Sequence, residues 1–298
     1  MGISLKKLDE QVIVITGASS GIGLATAEAA ARAGAKLVLT ARSEGALTEI
    51  VQRITAAGGQ ATYVVADVAD RHHVERVAQA AILQFGRIDT WINNAGVSIY
   101  GRLEEVSDAD NRRLFDTNFW GVVNGSLAAL RYMKASGGGA IINLGSEVSD
   151  AVVPLQGMYA ATKHAVKGFT DALRVEVEEV DKLPISVTLI QPTAVNTPWP
   201  QHARNYMDRE PKLPDPQIDP EDVAEAILKA AAKPMRDVKV GVMSKVNTAV
   251  AKLAPGLGDK MSAKQAGRQQ RQEPPENPEG ALYQPGGTGQ IHGRPGHA

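Results

Sequence analysis

Two polar side chains, Tyr159 and Lys163, have a spacing that suits acid–base chemistry. They stand four residues apart, which places both on one face of a helix. A free phenol has a pKa near ~10 and is a poor base at neutral pH, but a nearby ammonium favours the phenolate and lowers that pKa. The same pair also fits an ordinary helix surface, so its meaning depends on the residues that other segments bring to it.

Two more polar residues are candidates for the same site. Ser146 follows a short apolar run at 140–144, and Asn118 interrupts an apolar stretch of a long helical segment. The end of a buried parallel strand is where ligands bind in open α/β sheets, which makes Ser146 a candidate ligand-binding residue. Asn118 can equally serve only to hydrogen-bond backbone groups, as buried asparagines often do.

The glycine-rich segment Thr-Gly-Ala-Ser-Ser-Gly-Ile-Gly at 16–23 lies between the first apolar run and an alanine-rich helix. Glycines at such a turn allow backbone N–H groups to approach a pyrophosphate at the helix N-terminus. A second set of small residues, Asn94, Ala95 and Gly96, follows the fourth apolar run and would let the backbone lie along a cofactor. Each segment alone could also be a simple tight turn.

The end of the second strand indicates which dinucleotide binds. An Asp or Glu there would accept the ribose hydroxyls of NAD, but this chain has Thr-Ala-Arg-Ser at 40–43. Arg42 offers several fixed donors to a 2′-phosphate, so NADP is favoured, although a solvated surface arginine is the alternative. Asp67, after the third strand, could accept the adenine amino group or could cap a turn.

The pattern of apolar residues predicts the fold that would position these side chains. Short apolar runs alternate with longer helical stretches, which predicts a doubly wound parallel sheet with helices on both faces. The expected fold is a Rossmann-like, doubly wound sheet of seven parallel strands in a single domain. The strands are expected at 12–15, 36–40, 61–65, 90–92, 140–144, 185–190 and 238–242, and the helices at about 21–33, 44–57, 74–85, 108–133, 159–180 and 221–232.

Two segments lack this alternation. Residues 193–220 are proline-rich and irregular, which is typical of a functional lid. The oxidoreductase domain is expected to span 1–253, and 254–298 is expected to be a poorly packed tail, because it is rich in Gly, Pro, Gln and Arg. The alternative for the tail is that residues 280–287 dock through Leu282 and Tyr283 onto the domain or onto a neighbour.

Composition narrows the function classes. The chain has 298 residues, a net charge of -1 and no cysteine, so neither nucleic acid nor an anionic membrane is an expected partner and disulfides and thiolate sites are excluded. The six histidines are scattered, which predicts no metal site. No apolar run approaches the ~18 residues of a membrane helix, and the start of the chain does not resemble a secretory signal, so a cytoplasmic protein is expected.

Taken together, these motifs resemble those of the short-chain dehydrogenase/reductase family, over about residues 9–242. The resemblance implies that Tyr159 donates the proton in reduction and accepts it in oxidation, while Lys163 lowers its pKa and holds the nicotinamide ribose. It further implies that Ser146 hydrogen-bonds the substrate oxygen and that Asn118 positions a water linked to Lys163. The catalytic candidates are therefore Asn118, Ser146, Tyr159 and Lys163.

The resemblance also extends the set of cofactor-binding candidates. Arg42 and Ser43 match the 2′-phosphate position, and the segment after the sixth strand matches the one that contacts the nicotinamide carboxamide. That segment departs from the usual Pro-Gly because Thr193 follows Pro192, which would reshape the substrate pocket or alter the cofactor geometry. The expected cofactor-binding residues are Gly17, Ser19, Ser20, Gly21, Ile22, Gly23, Arg42, Ser43, Asp67, Val68, Asn94, Ala95, Gly96, Tyr159, Lys163, Pro192, Val195 and Thr197.

The leading hypothesis is an NADP-dependent oxidoreductase that transfers a hydride between NADP(H) and a small carbonyl compound or secondary alcohol. The alternatives are an NAD-linked dehydrogenase of the same fold and a weakly catalytic NADP-binding regulator. Aromatic residues of the lid, such as Trp199 and Tyr206, either suit an apolar substrate or pack the lid itself. The resemblance of the two long helices to family interfaces predicts a homodimer or homotetramer.

Overall fold

The computed structural model describes residues 2–286 and 289–294 and contains one seven-stranded parallel sheet with the strand order β3-β2-β1-β4-β6-β7-β9. This confirms the predicted Rossmann-like fold. The strands are β1 Val12–Thr16, β2 Lys36–Ala41, β3 Gln60–Val65, β4 Thr90–Asn93, β5 Ile99–Tyr100, β6 Gly139–Leu144, β7 Ile185–Pro192, β8 Arg204–Asn205 and β9 Asp237–Val240. The helices are α1 Gly21–Arg32, α2 Glu44–Ala56, α3 Arg71–Phe85, α4 Asp108–Phe115, α5 Gly121–Ser136, α6 Gly157–Arg174, α7 Trp199–His202, α8 Pro220–Ala232, α9 Val242–Leu253 and α10 Pro255–Ala263.

Both faces of the sheet are covered, and β1 shows why its sequence is apolar throughout. All five of its residues are buried. Ile13 and Ile15 belong to one core cluster, whereas Val12 and Val14 belong to another on the opposite face. Because alternate residues of a strand point to opposite faces, a strand that is buried on both sides needs apolar residues at every position.

The functional edge of the sheet is set by the position of β1. It pairs with β2 on one side and with β4 on the other, so the chain order reverses between β1 and β4. In doubly wound sheets this reversal opens a crevice at the carboxyl ends of the strands, where ligands bind. The glycine-rich segment after β1 and the Asn94–Gly96 segment after β4 both begin at this edge.

The predicted long helices each contain a wider, π-helical turn, which lies inside the first and at the end of the second. The first is α4 and α5 joined through Asp116–Trp120, and the second is α6 continued through Val175–Val180. The first of these turns contains Asn118. Single π turns inside helices are frequent at functional sites, because they change the direction in which a side chain points.

The lid contains some regular structure. The four-residue helix α7 lies within it, and β8 pairs in parallel with β5. The last strand of the main sheet ends at Val240 rather than at the predicted Val242, because Gly241 has a φ of 88°. Helix α9 begins directly after this glycine. None of the helices within 2–286 and 289–294 is long and apolar enough to cross a membrane.

Most of the described part of 254–298 is exposed, and helix α10 within it has no buried residue. The expectation of a poorly packed tail fails at Ala281 and Leu282, which are buried, and Leu282 has 0 % of its surface exposed. Leu282 packs in an apolar cluster with Val97, Ile99 and Leu114, so the alternative of docking onto the chain's own body is what the structure contains. Composition averaged over a segment hides a single anchoring side chain of this kind.

Candidate active site

The glycine-rich turn after β1 packs directly against the segment after β4. Gly17 has a φ of 65°, and a Cβ added there would lie 2.7 Å from the Cα of Ala95. The side chain of Asn94 donates to the carbonyl oxygens of Thr16 and Gly17 at 2.9 and 3.1 Å. A Cβ on Gly23 would lie 2.1 Å from the Gly17 carbonyl oxygen. These glycines are therefore required by close backbone approach, and the turn and the β4 segment form one continuous surface.

A single cavity at this edge brings together nearly all of the residues predicted to act. Gly23 supports the turn from behind, and Asn118 lies beside the cavity, so these two are absent from the lining. The predicted residues that line it are Gly17, Ser19, Ser20, Gly21, Ile22, Arg42, Ser43, Asp67, Val68, Asn94, Ala95, Gly96, Ser146, Tyr159, Lys163, Pro192, Val195 and Thr197.

Arg42 and Asp67 lie at one end of the cavity, after β2 and β3. The Arg42 guanidinium donates to the carbonyl oxygen of Leu282 at 3.1 Å and also to that of Ala281. The carboxylate of Asp67 accepts from Arg113 at 2.5 Å and from the Ala69 N–H at 3.1 Å. Arg113 was not predicted from the sequence, because it lies on α4, 46 residues away from Asp67.

Lys163 is buried beneath the end of the cavity that holds Tyr159 and Ser146. Its ammonium donates to the carbonyl oxygen of Leu144 at 2.8 Å, and its Nζ lies 5.7 Å from the centre of the Tyr159 ring. Burial lowers the pKa of Lys163 to about 8. An ammonium with this pKa is close to its titration range at neutral pH, so it can take part in proton exchange.

Tyr159 projects from the same face of α6 and is covered by Trp199 of the lid, with the ring centres 5.6 Å apart. Burial raises the pKa of Tyr159, the Ser146 hydroxyl lowers it, and the charge of Glu147 raises it. Because burial is the largest of these effects, the phenol is protonated at neutral pH. In this form the side chain is a proton donor rather than a base.

Ser146 directly follows β6 and caps a short 3₁₀ turn, Glu147–Ser149. Its hydroxyl accepts from the N–H of Val148 at 3.3 Å, and its own N–H donates to the hydroxyl of Ser149 at 3.1 Å. These two bonds fix the Ser146 side chain on the cavity side of the turn. They leave its hydroxyl proton free to point into the cavity, where it can reach Tyr159 or a ligand.

Asn118 is the centre of a buried hydrogen-bonding arrangement. Its side-chain carbonyl accepts from the N–H of Val97 at 2.8 Å, and its amide donates to the carbonyl of Val97 at 2.9 Å and to Thr162 at 3.2 Å. The side chain thus joins the π turn to the strand β5 region and to α6. Its amide is committed to these bonds, so Asn118 acts here by positioning its neighbours.

Glu147 was missed by the sequence analysis although it adjoins Ser146. Its carboxylate is buried at the wall of the cavity, where it accepts from Thr193 at 3.0 Å and from Asn247 of α9 at 2.8 Å. Burial raises the pKa of Glu147, while Asn247 and Thr193 lower it. An acidic residue next to a strand-end serine was the available signal, but its two partners are distant in sequence.

Comparisons with known proteins agree with this geometry. A family model described as short chain dehydrogenase matches residues 11–207. The chain is 46 % identical over 288 residues to "Uncharacterized oxidoreductase YxnA" of Bacillus subtilis, covering 95 % of this chain and 81 % of that protein. It is 34 % identical over 271 residues to the Bos taurus protein "Dehydrogenase/reductase SDR family member 7B", covering 87 % and 82 %.

Two solved structures share the fold. One is a short-chain dehydrogenase/reductase from Burkholderia phymatum in complex with NAD, with a TM-score of 0.77 and 29 % identity over 85 % of this chain and 96 % of that one. The other is an alcohol dehydrogenase from Thermococcus sibiricus complexed with 5-hydroxy-NADP, with a TM-score of 0.66 and 30 % identity over 77 % and 94 %. Since the family model matches well over half of the chain, this protein belongs to the short-chain dehydrogenase/reductase family of oxidoreductases.

Proposed function

We propose that this oxidoreductase transfers a hydride between NADP(H) and a small carbonyl compound or secondary alcohol, with Tyr159 as the acid–base group. The observation that carries the proposal is the single cavity that holds Tyr159, Ser146 and Lys163 together with the glycine-rich turn. The turn fits a dinucleotide, because the glycine-rich segment and the N-terminus of α1 line this cavity and would present backbone N–H groups to a pyrophosphate.

The bound dinucleotide supplies or accepts the hydride, and the protein's own residues handle the proton. Ser146 donates a hydrogen bond to the substrate oxygen and so orients the carbonyl carbon. The Tyr159 phenol, protonated because burial raises its pKa, gives its proton to that oxygen in the reducing direction. Lys163 is placed beneath the phenol to stabilise the negative charge that develops on it.

Substitution of Tyr159 tests this role. Removing a general acid typically costs about 10²- to 10⁴-fold, so Tyr159→Phe should lose at least about 10²-fold in kcat with the affinity for NADPH unchanged. Tyr100 is a fully buried tyrosine of the same region, and Tyr100→Phe is the matched control that should keep its activity. Carbonyl reduction would be followed by the absorbance of NADPH. Activity retained by the Tyr159 variant would refute the assignment.

The choice of NADP rests on Arg42. It follows β2, lines the cavity beside Ser43, and stands where an acidic residue would select NAD. Two of its donors are bonded to Ala281 and Leu282, and the remaining donors of a guanidinium suffice for a 2′-phosphate. The two solved relatives described above are complexes with NAD and with an NADP derivative, so they are compatible with either cofactor.

The dissociation constants of NADPH and NADH for Arg42→Ala test this choice. Loss of a charge-assisted hydrogen bond to the 2′-phosphate should weaken the binding of NADPH by about 10-fold or more relative to the binding of NADH. Arg53→Ala, an exposed arginine paired with Glu28, is the control. Equal weakening of both cofactors would exclude Arg42 as the 2′-phosphate ligand and would favour the NAD-linked alternative.

We further propose that the protein is a homodimer or homotetramer, assembled through the two long helical segments. Large apolar side chains lie exposed on them, including Trp120 and Leu127 of the first and Val175 and Val180 of the second. An apolar surface of this kind on long helices suits a contact between copies. Light scattering coupled to size exclusion would give the mass, and a monomer at working concentration would refute this assembly.

A further inference from the structure

The C-terminal strap, defined here as residues 280–286 and 289–294, is anchored to the body of the protein near the candidate active site. Leu282 is fully buried, and the Tyr283 hydroxyl donates to Asp110 at 2.9 Å. The N–H of Ala281 donates to the carbonyl oxygen of His202 in the lid at 2.7 Å. These contacts involve an apolar side chain, a phenol and a backbone group, so this part of the strap occupies a built site of its own.

The anchored part of the strap holds two arginines at the adenosine end of the cavity. Carbonyl oxygens of Ala281 and Leu282 accept from Arg42, and that of Leu282 also accepts from Arg113 at 3.2 Å. Arg113 in turn pairs with Asp67. The strap therefore fixes the orientation of the side chains that follow β2 and β3, where the adenosine of a dinucleotide is expected to bind.

The remainder of the strap crosses the N-terminus of α1. The N–H of Gly21 donates to the carbonyl oxygen of Gln290 at 2.9 Å, and Ile291 packs against the core cluster that contains α1. Further along, a Cβ on Gly293 would lie 2.6 Å from the carbonyl oxygen of Thr197. The strap thus runs from Arg42 past Gly21 to Thr197, which is the direction from the adenosine end to the nicotinamide end of the expected cofactor.

Part of the strap forms a wall of the cavity. Ala281, Pro285 and Gly286 line the same cavity as Ser20 and Asn94 on the glycine-rich side. Apart from the Ala281 and Leu282 carbonyls on Arg42, the described part of the strap occupies one donor that a phosphate would use, the Gly21 N–H, through the Gln290 carbonyl. One such contact can be exchanged on binding, while the buried Leu282 anchor stays in place.

From these observations we infer that the C-terminal strap is a cofactor-binding element, which closes over the adenosine and pyrophosphate of a bound nicotinamide dinucleotide and slows its release. The inference rests on the proposed function, since it requires that a dinucleotide binds in this cavity. The strap lies beyond residues 11–207, which match the family model, so this element adds to the part of the site that the family shares. A cover of this type excludes water and holds the ligand until it opens.

Two truncations test the strap with little change elsewhere. A chain ending at Gly286 keeps the Leu282 anchor but loses the part that crosses α1, and a chain ending at Arg294 is the matched control. The dissociation constants of NADPH and NADH would be measured by calorimetry, and their release rates by stopped-flow displacement. Losing one or two hydrogen bonds and the cover should raise the release rate of both cofactors by about 10-fold in the shorter chain only.

A full-length variant tests the same segment without truncating the chain, in case the truncated chain misfolds. Ile291→Asp places a charge where the strap packs against the core, so it should undock the same segment and accelerate release in the same way. Circular dichroism would verify that each variant is folded. Release that is unchanged, or cofactor binding that becomes tighter, in both the shorter chain and Ile291→Asp would overturn the inference while leaving the proposed function intact. Failure of the full chain to bind either dinucleotide would overturn both.

Discussion

Replacing Gly23 by alanine should damage the cofactor site through sterics alone. Gly23 does not need a positive φ, so an alanine there is compatible with the backbone of α1. Its Cβ, however, would lie 2.1 Å from the carbonyl oxygen of Gly17 and 2.5 Å from the side-chain nitrogen of Asn94. Real Cβ atoms do not approach other atoms so closely, so the turn must move away from α1.

The size of the effect follows from three contributions. Overpacking a rigid site costs about 1–3 kcal/mol. Displacement of Asn94 weakens its hydrogen bonds to Thr16 and Gly17, at about 1 kcal/mol each. Alanine regains about 1 kcal/mol through its higher helix propensity. The free energy of unfolding should therefore fall by about 2–4 kcal/mol, and the displaced turn should bind a dinucleotide at least about 10-fold more weakly.

Gly168 provides the matched control for this prediction. It also lies inside a helix, α6, but no atom lies within 4 Å of where its Cβ would be. Gly168→Ala should therefore raise the free energy of unfolding by up to about 1 kcal/mol and leave cofactor affinity unchanged. Urea denaturation and calorimetric titration with NADPH would measure both quantities. A Gly23→Ala protein as stable as the Gly168→Ala protein, with normal affinity, would refute the steric argument.

Three further predictions concern charges and the strap. Glu147→Gln removes a charge that raises the pKa of Tyr159, so the rate profile for alcohol oxidation should shift to lower pH. Burial raises the pKa of Asp150, but Gln191, Lys239 and Lys252 lower it to a net value of about 2. The stabilising effect of the ionised Asp150 should be complete above about pH 4, the ordinary aspartate pKa, and should be lost as the pH falls to about 2. The urea midpoints of the wild type and of Asp150→Asn should therefore converge near pH 2. Leu282→Ala should lower the free energy of undocking the strap by about 2–5 kcal/mol. Hydrogen exchange at Ala281 should become faster, with little change in the global free energy of unfolding.

The fold was predictable because the sheet is buried on both faces. Strands such as β1 and β7 are apolar or small at nearly every position, and the segments between them have helical length. The π turn at Asp116–Trp120 was not predictable, since a wider turn changes which residues share a face without changing composition. The strand pair β5 and β8 was also missed, because each strand has only two residues.

The candidate site was predictable where a motif lies at a strand end. Ser146 and the glycine-rich turn were located in this way, and the cavity contains both. Interactions between distant segments were not predictable. Arg113 contacts Asp67, and Leu282 contacts Arg42, through bonds between residues 46 and 240 positions apart. Nothing in the local sequence of either partner indicates the other.

Thr193 shows how one such interaction explains a departure from the family pattern. The ends of β6 and β7 are adjacent in the sheet, with Leu144 opposite Ile190, so the residues that follow them also lie side by side. Glu147 follows β6, and its buried carboxylate needs hydrogen-bond donors to offset the cost of burial. The Thr193 hydroxyl provides one at 3.0 Å, which the usual glycine cannot do. The threonine and the glutamate are thus parts of one feature, which holds a carboxylate whose charge raises the pKa of Tyr159.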